Sequence, residues 1–586
     1  IETRLIKMSE FKPQNRIVVG DDIQHLLINN LENKKTSYLE NNPITIARER
    51  LKIALCFFIV FFFIFSVRNA FLSVFPGDVI SEPQHSLALS VKKPLPDIYD
   101  RTGKNLLVTT FKTTRAAVVK RSSFNEFDIH KAANQLSPYL NEDPQELLER
   151  LSSGKYVEIA NDISEKQQYD ILNSGVAEVE FHKVWRRVYP SKTLAAHILG
   201  YSNRDFDQKS SSGFERWLYK NQIKNDQINL TINLNAQNHL ENILESAIEE
   251  YDAEASFGVI LNANNGEIIA LASLPNFDPN TVNQYSQSKT ANQRFNRALQ
   301  GSYELGSVMK IFTLAMALEE EKINLSDEFD VWKCMNKGRK KCLSDYRKSK
   351  VQFLNSAQCL INSSNICMAQ ISHLVGLETQ KRFLSETGLL DEQFIELYEM
   401  GKPSLPERWN ELTMEQISFG QGLGVVPLSF VSAVAAIVNG GYLIEPTLYL
   451  RDKNYKTNAK LISSEVSNSM RFVMREVVKN GSGKKADVDG YNVIGKTGTA
   501  DKPCLTGGYC GRMTSFVGAF PGNNPEYIIL VSLDNPKGEK GIRGSSAYWN
   551  AAPVAGEIIK LVAPQLNIPI QNSFNAFQEH VRADIQ

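Results

Sequence analysis

At 586 residues the chain is longer than a single hydrophobic core usually serves, so two or more domains are expected. Lysine plus arginine and aspartate plus glutamate number 65 each, a balance that gives no general attraction to nucleic acid or to an acidic partner. With 42% hydrophobic and 22% charged residues the composition is that of a globular protein, and function has to be sought in local sites.

Residues 1–50 are polar and read as a short tail. Ile53 to Val67, IALCFFIVFFFIFSV, carries no charge. At about 1.5 Å per residue this run alone falls short of a ~30 Å hydrocarbon core, but Lys52 and Arg68 can snorkel and Asn69 to Phe75 can continue the helix. A core helix would keep a polar face, and Arg68-Asn69-Ala70 is a poor cleavage site for a leader, so 51–75 is read as one uncleaved anchor. Lys34, Lys35, Arg48, Arg50 and Lys52 precede the span and Arg68 follows it, which places the N-terminus in the cytoplasm and everything from about residue 76 outside.

Residues 76–240 mix short β-like runs, Leu106 to Thr110 and Ala116 to Val119, with helical pattern over Phe127 to Leu151, and hold no catalytic constellation. From 250 to 570 the pattern changes. Ser256 to Ala272, SFGVILNANNGEIIALA, predicts strand, turn and strand, with Asn-Asn-Gly at the turn. Helices are expected over Ser307 to Glu321 and Leu428 to Asn439, and late strands over Tyr491 to Ile494, Thr514 to Ala519 and Tyr527 to Ser532. The fold class expected is α/β (α+β), an antiparallel sheet flanked by helices, and 571–586 reads as a tail.

Three short motifs stand in the second region. Ser307-Val308-Met309-Lys310 places a hydroxyl and an amine on one face of a helical turn. A serine near a helix N-terminus sits where free N–H groups favour negative charge, and an amine held neutral by burial can take its proton. Ser363-Ser364-Asn365 falls in an expected loop between helices, where a hydroxyl can relay a proton and an amide can hold both a lysine and a substrate amide. Lys496-Thr497-Gly498-Thr499 follows an apolar run, YNVIG, and is expected at a strand edge. There Lys496 supplies positive charge and Gly498 admits a substrate backbone. The N–H groups of Thr499 and Ser307 can form an oxyanion hole. Each motif alone is weak, since KTG is commonly a surface turn and SSN a cap, but the ordered triple is specific.

On these motifs the chain resembles class B penicillin-binding proteins from residue 51 onward. LPDIYDRTGKNL (95–106) is similar to the family's segment after the anchor. RVYPSKTLAAHILG (187–200) and Gly213-Phe214-Glu215 resemble its pedestal motifs, and YELGSVMKIFT (303–313) its nucleophile motif, with Val308-Met309 where Thr-Phe is usual. LPERWNELTMEQISFGQGL (405–423) and GKTGTADKP with GGYCGRMTSFVGAFP resemble the division-specific transpeptidase (penicillin-binding protein 3 type), the elongation-specific relative being the alternative. The resemblance implies a peptidoglycan D,D-transpeptidase. Ser307 would attack a D-Ala-D-Ala stem peptide with Lys310 as base, and Ser363 and Asn365 would handle protons and substrate. Lys496, Thr497, Gly498 and Thr499 would bind the stem carboxylate and the oxyanion, and β-lactams would acylate the same serine. It further implies a pedestal over 76–240, peptidoglycan and its lipid-linked precursor as substrates, and a cell inner membrane location with the catalytic domain periplasmic. A polymerase and divisome membrane proteins would be its partners, with no nucleic acid.

Rival classes share some of these features. A β-lactamase needs a group that activates water, and Glu407-Arg408-Trp409-Asn410 superficially resembles one but reads as a structural loop. A β-lactam sensor would be expected to carry several spans or a signalling domain, a bifunctional synthase would need a glycosyltransferase region, and intact motifs argue against a scaffold. Lys333 to Lys350 holds eight basic residues and reads as a solvated insertion, with contact to acidic wall polymer the alternative. Arg186-Arg187 reads as exposed charge or a partner surface. Cys334 and Cys342, and Cys504 and Cys510, are close enough in sequence to pair outside a membrane, and equally could be free or buried thiols. No cysteine has metal-ligand spacing with histidine, so no metal or organic cofactor is implied.

Overall fold

A computed structural model of the chain describes residues 43–74, 95–120, 128–202, 212–223, 225–282, 292–335, 342–346, 348–452, 455, 457–503, 509–538 and 545–571. The tails expected over 1–50 and 571–586 lie almost entirely outside these residues, as does Cys504. The chain divides into two units, 1–92 and 93–586. In the first, helix α1 (Pro43–Val74) contains Arg50–Arg68, a stretch of 19 residues long and apolar enough to cross a membrane and exposed throughout. Phe57, Phe58, Phe61 and Phe62 leave it no water-facing side, which fits a transmembrane anchor.

The second unit opens with β1 (Asp97–Tyr99), β2 (Leu106–Val119), α2 (Ile129–Leu140), α3 (Pro144–Ser152), β3 (Tyr156–Ala160), β4 (Val179–Val188), α4 (Gly213–Asn221) and β5 (Gln227–Asn229). Its sheet runs β3-β2-β1-β5, with β4 also on β2. The two expected β-like runs are the ends of one strand, because β4 pairs along β2 from Thr109–Val188 to Val118–Val179, through Thr113 and Thr114 of β2 that separate the runs. The helical pattern over Phe127 to Leu151 divides in two. Asn141 turns left-handed (φ 52°), and Asp143 caps the next helix at Gln145 and Glu146 with Pro144 in the first turn. Leu136, Leu147, Leu151 and Ile159 close the core of this part. Arg187 is buried, not exposed charge. Its Nε donates to Glu215 Oε1 at 2.7 Å and its Nη1 to Pro96 O at 2.7 Å, so it ties β4 to α4 and to the start of the domain.

The chain then forms α5 (Leu234–Glu250), β6 (Ala255–Asn262), β7 (Ile268–Leu274), α6 (Lys310–Glu319), β8 (Glu328–Asp330), β9 (Phe353–Asn355), α7 (Ser356–Ile361), α8 (Asn365–Val375), α9 (Glu411–Ser418), α10 (Pro427–Val438), α11 (Ser464–Asn480), β10 (Ile494–Pro503), β11 (Tyr509–Phe520), β12 (Tyr527–Asp534) and α12 (Ala551–Gln565). The five strands of the main sheet are antiparallel in the order β10-β11-β12-β6-β7. Every residue of β7 and β12 is buried, because helices cover both faces. Leu240 and Leu244 of α5 and Ile558 and Ile559 of α12 pack on Ile529 and Val531, while Phe312, Val434 and Val473 belong to the core that holds Ile528 and Leu530. The expected hairpin is β6–β7, turned at Gly266 (φ +74°). The late strand expected to end at Ile494 instead begins there. Asn492 is left-handed (φ 47°) and the Val493 carbonyl accepts from Arg475, so pairing with β11 starts one residue on.

The two parts of this unit meet at a polar seam. Glu241 of α5 is buried and accepts from Ala195 N (2.8 Å), Gln237 Nε2 (2.7 Å) and Asn276 Nδ2 (3.1 Å). Burial raises its pKa from 4.5 to about 7. Nearby, His197 Nε2 stands 2.8 Å from the Gln293 carbonyl, and burial lowers its pKa to about 4.

Candidate active site

Ser307 lies one turn ahead of α6, in a tight 3-10 turn over Gly306–Met309 that opens at Gly306 with φ +65°. The turn is tight because β10 presses on it. A Cβ at Gly498 would stand 2.2 Å from Leu305 O, and one at Gly306 would stand 2.6 Å from Thr499 O. Glycine at both positions is what lets the KTG strand and the serine turn touch. Since β10 is the sheet's edge strand, alternate backbone groups point away from β11, on an edge that borders Ser307. Ser307 itself is half-buried.

Lys310 begins α6 and is fully buried. Its Nζ donates to the Ser363 carbonyl (2.6 Å), Ser363 Oγ (3.2 Å) and Asn365 Oδ1 (2.7 Å). Burial drives its pKa well below the ordinary lysine value, the neighbouring charge of Lys496 pushes the same way, and Asp345 opposes them. Lys496, on β10, is also fully buried, and its Nζ donates to Ser363 Oγ (3.0 Å) and Thr497 O (3.0 Å). Burial lowers its pKa to about 7, so the positive charge expected there is conditional on pH. One hydroxyl, Ser363 Oγ, thus stands between two buried amines of reduced basicity. Ser363 reaches that position in the left-handed region (φ 57°), a costly conformation for serine, in the turn between α7 and α8.

All three motifs therefore meet at one place. Thr497 Oγ1 shares a 2.5 Å hydrogen bond with Ser482, and Thr499 Oγ1 accepts from Ala547 N at 3.2 Å. The arrangement can take a proton from a hydroxyl at the mouth and pass it along amine, hydroxyl and amine. Glu407 is exposed and Asn410 caps α9 by accepting from Thr413 N at 3.0 Å, in keeping with a structural loop. Among the described residues no cluster of three His, Cys, Asp or Glu is placed to hold a metal.

The place of Asp345 and a bridge between Cys359 and Cys367 escaped the sequence reading, whereas a Cys334–Cys342 pair is one of its two alternatives. The Lys333 to Lys350 stretch leaves between β8 and β9 and is closed by a Cys334–Cys342 disulfide. Lys333, Lys348 and Lys350 are exposed as expected, but Asp345 turns inward to the SSN turn. A second disulfide, Cys359–Cys367, joins α7 to α8 and brackets that same turn. Cys510 is also disulfide-bonded. The second bridge is not legible in the sequence, because Cys359 and Cys367 lie in helical stretches where thiols are commonly just packed.

A family model described as the penicillin binding protein transpeptidase domain matches residues 256–560, and one described as the penicillin-binding protein dimerisation domain matches 96–227. Among curated proteins, the chain is 31% identical over 490 residues to a probable peptidoglycan D,D-transpeptidase FtsI of Caulobacter vibrioides, covering 80% of this chain and 81% of that one. It is 28% identical to the stage V sporulation protein D of Bacillus subtilis over 587 residues, with 89% and 86% covered. A peptidoglycan synthetase structure from Bifidobacterium adolescentis shares the fold at a TM-score of 0.62 and 20% identity, covering 82% of this chain and 96% of that one.

Proposed function

The chain belongs to the penicillin-binding protein transpeptidase family, and from that premise we propose that it is a peptidoglycan D,D-transpeptidase that cross-links stem peptides at the division septum through an acyl-enzyme on Ser307. The observation that carries this reading is the Ser363 hydroxyl held between the buried amines of Lys310 and Lys496, at 3.2 and 3.0 Å. A neutral Lys310 takes the Ser307 proton as Oγ attacks the D-Ala carbonyl, and the N–H groups of Ser307 and Thr499 receive the oxyanion. The proton passes by way of Ser363 to the leaving D-Ala amine, and an amine of a second stem then accepts the acyl group. Asn365 holds the substrate amide, and Lys496 with Thr497 holds the stem carboxylate. β-Lactams stop at the first step.

In this reading residues 76–240 form the pedestal and 250–570 the transpeptidase domain. The anchor crosses the inner membrane with its N-terminus in the cytoplasm and the catalytic domain in the periplasm. A membrane polymerase and divisome proteins supply and place the substrate, drawn from lipid-linked precursor. Support comes from the flanking charge and from the division-type name of the Caulobacter relative.

The test is covalent labelling of the full chain in detergent by a fluorescent penicillin. A stable adduct on the peptide that holds Ser307, lost in Ser307→Ala while the melting temperature is kept, is the expected result. Labelling that persists in a folded Ser307→Ala protein sinks the nucleophile assignment, and rapid release of the adduct points to a hydrolase.

A further inference from the structure

We propose that Asp345, carried on the disulfide-closed insertion between β8 and β9, is a positioning residue for acyl transfer that fixes the Ser363-Ser364-Asn365 turn against Lys310. The inference rests on the reading of the site given above and names a residue outside its three motifs.

The geometry is local and complete. One carboxylate oxygen of Asp345 accepts from the backbone N–H groups of Asn365 (2.6 Å) and Ile366 (3.1 Å), and the other accepts from Ser364 Oγ (2.7 Å). These two N–H groups belong to the first turn of α8, whose unpaired donors and positive dipole end favour an anion. Ser364 in turn accepts from Cys367 N at 3.1 Å, so side chains cap the three leading N–H groups of the helix. The residue before Asp345 completes the grip. The Ser344 carbonyl accepts from Asn365 Nδ2 at 3.3 Å, which leaves Asn365 Oδ1 turned to Lys310 Nζ at 2.7 Å. The 344–345 segment thereby sets both the place of the turn and the way round the Asn365 amide lies.

The insertion is itself held. Cys342 is bound to Cys334, and Leu343 N donates to Met335 O at 2.7 Å, so Asp345 leaves a pinned base. The charged groups acting on Lys310 are Lys496 and Asp345, of opposite sign. An exposed salt-bridging acid would be expected to face the lysines of its own loop. This one faces the motif that holds the base.

The experiment measures the rate of covalent labelling by a fluorescent penicillin across pH 5 to 9 for the full chain and for Asp345→Asn and Asp345→Ala. The expected result for Asp345→Asn is a fall of about tenfold in the maximal rate, together with an acid limb displaced to lower pH. That displacement follows because Lys310 loses the negative charge of Asp345, which opposes its deprotonation. A mutation that merely loosened the turn would admit water to Lys310 and move the limb to higher pH. Either an upward shift or an unchanged rate and limb would overturn the proposal. If Asp345→Ala does not fold, Asp345→Asn decides, since it keeps the volume and one acceptor. A wild-type chain that takes no label overturns the site reading and this proposal with it, whereas a labelled wild type with an Asp345→Asn variant that matches it overturns the proposal alone.

Discussion

At the scale of single residues, what distinguishes this site is two fully buried lysines, Lys310 and Lys496. A buried ammonium is costly unless paired with an anion, and among the described residues neither Lys310 nor Lys496 has a carboxylate on its Nζ. Their hydrogen bonds go to carbonyls, an amide and one hydroxyl, which leaves the neutral form accessible to both. For Lys310 that suits a base. For Lys496 the consequence is a pH dependence. Its pKa of about 7 makes it a cation below pH 7 and increasingly neutral above it. Affinity of the free site for a carboxylate-bearing penicillin should therefore weaken as pH rises through 7, and Lys496→Arg, which stays charged, should flatten that trend. Stopped-flow measurement of the non-covalent step, separate from acylation, reads this directly, and an affinity that does not change from pH 6 to 8 would contradict it.

At the scale of elements, the site depends on a strand and a turn brought closer than side chains normally allow. β10 is paired with β11 from Ile494 to Pro503, so it is stiff, and the Ser307 turn is anchored by the buried start of α6. Neither can retreat far from a methyl group placed between them. Gly498→Ala should lower the acylation rate about 10²-fold, by moving the oxyanion donors off the attack geometry, and should shift the melting temperature far less than a core truncation would. A Gly498→Ala chain that acylates normally would show that the contact is packing alone. The same scale explains the bracketing of the SSN turn. Ser363 holds a left-handed backbone, and α7, α8, the Cys359–Cys367 bridge and Asp345 supply the constraint that such a conformation needs.

At the scale of the whole molecule, the seam between the two parts of the second unit carries a pair of opposed titrations. Glu241 binds its proton more tightly folded than unfolded, its pKa moving from 4.5 to about 7. Its contribution to stability is therefore full below pH 4.5 and is lost as pH rises to 7, by ~3 kcal/mol. His197 moves from 6.5 to about 4, so its contribution is full above pH 6.5 and is lost as pH falls toward 4. Between 4.5 and 6.5 the two offset each other. Thermal melts of Glu241→Gln should expose the histidine alone, with stability rising from pH 4 to 6.5 and no decline toward 7. A variant whose melting curve tracks the parent at every pH would rule out the role of Glu241.

The three motifs, the apolar span, the β6–β7 hairpin and the helices that follow are legible in the chain alone, because each is written in neighbouring residues. Periodicity, turn chemistry and a serine three residues from a lysine need no knowledge of the fold. Contacts between distant segments become visible only once the chain is folded. Ser363 is placed between amines 53 and 133 residues away, Asp345 reaches a helix start 20 residues on, and Arg187 turns from apparent surface charge into a buried tie to Glu215. The physical reason is that burial and pairing are properties of packing. A charge in a basic loop and a charge that caps a catalytic turn have the same local sequence until the chain closes on itself.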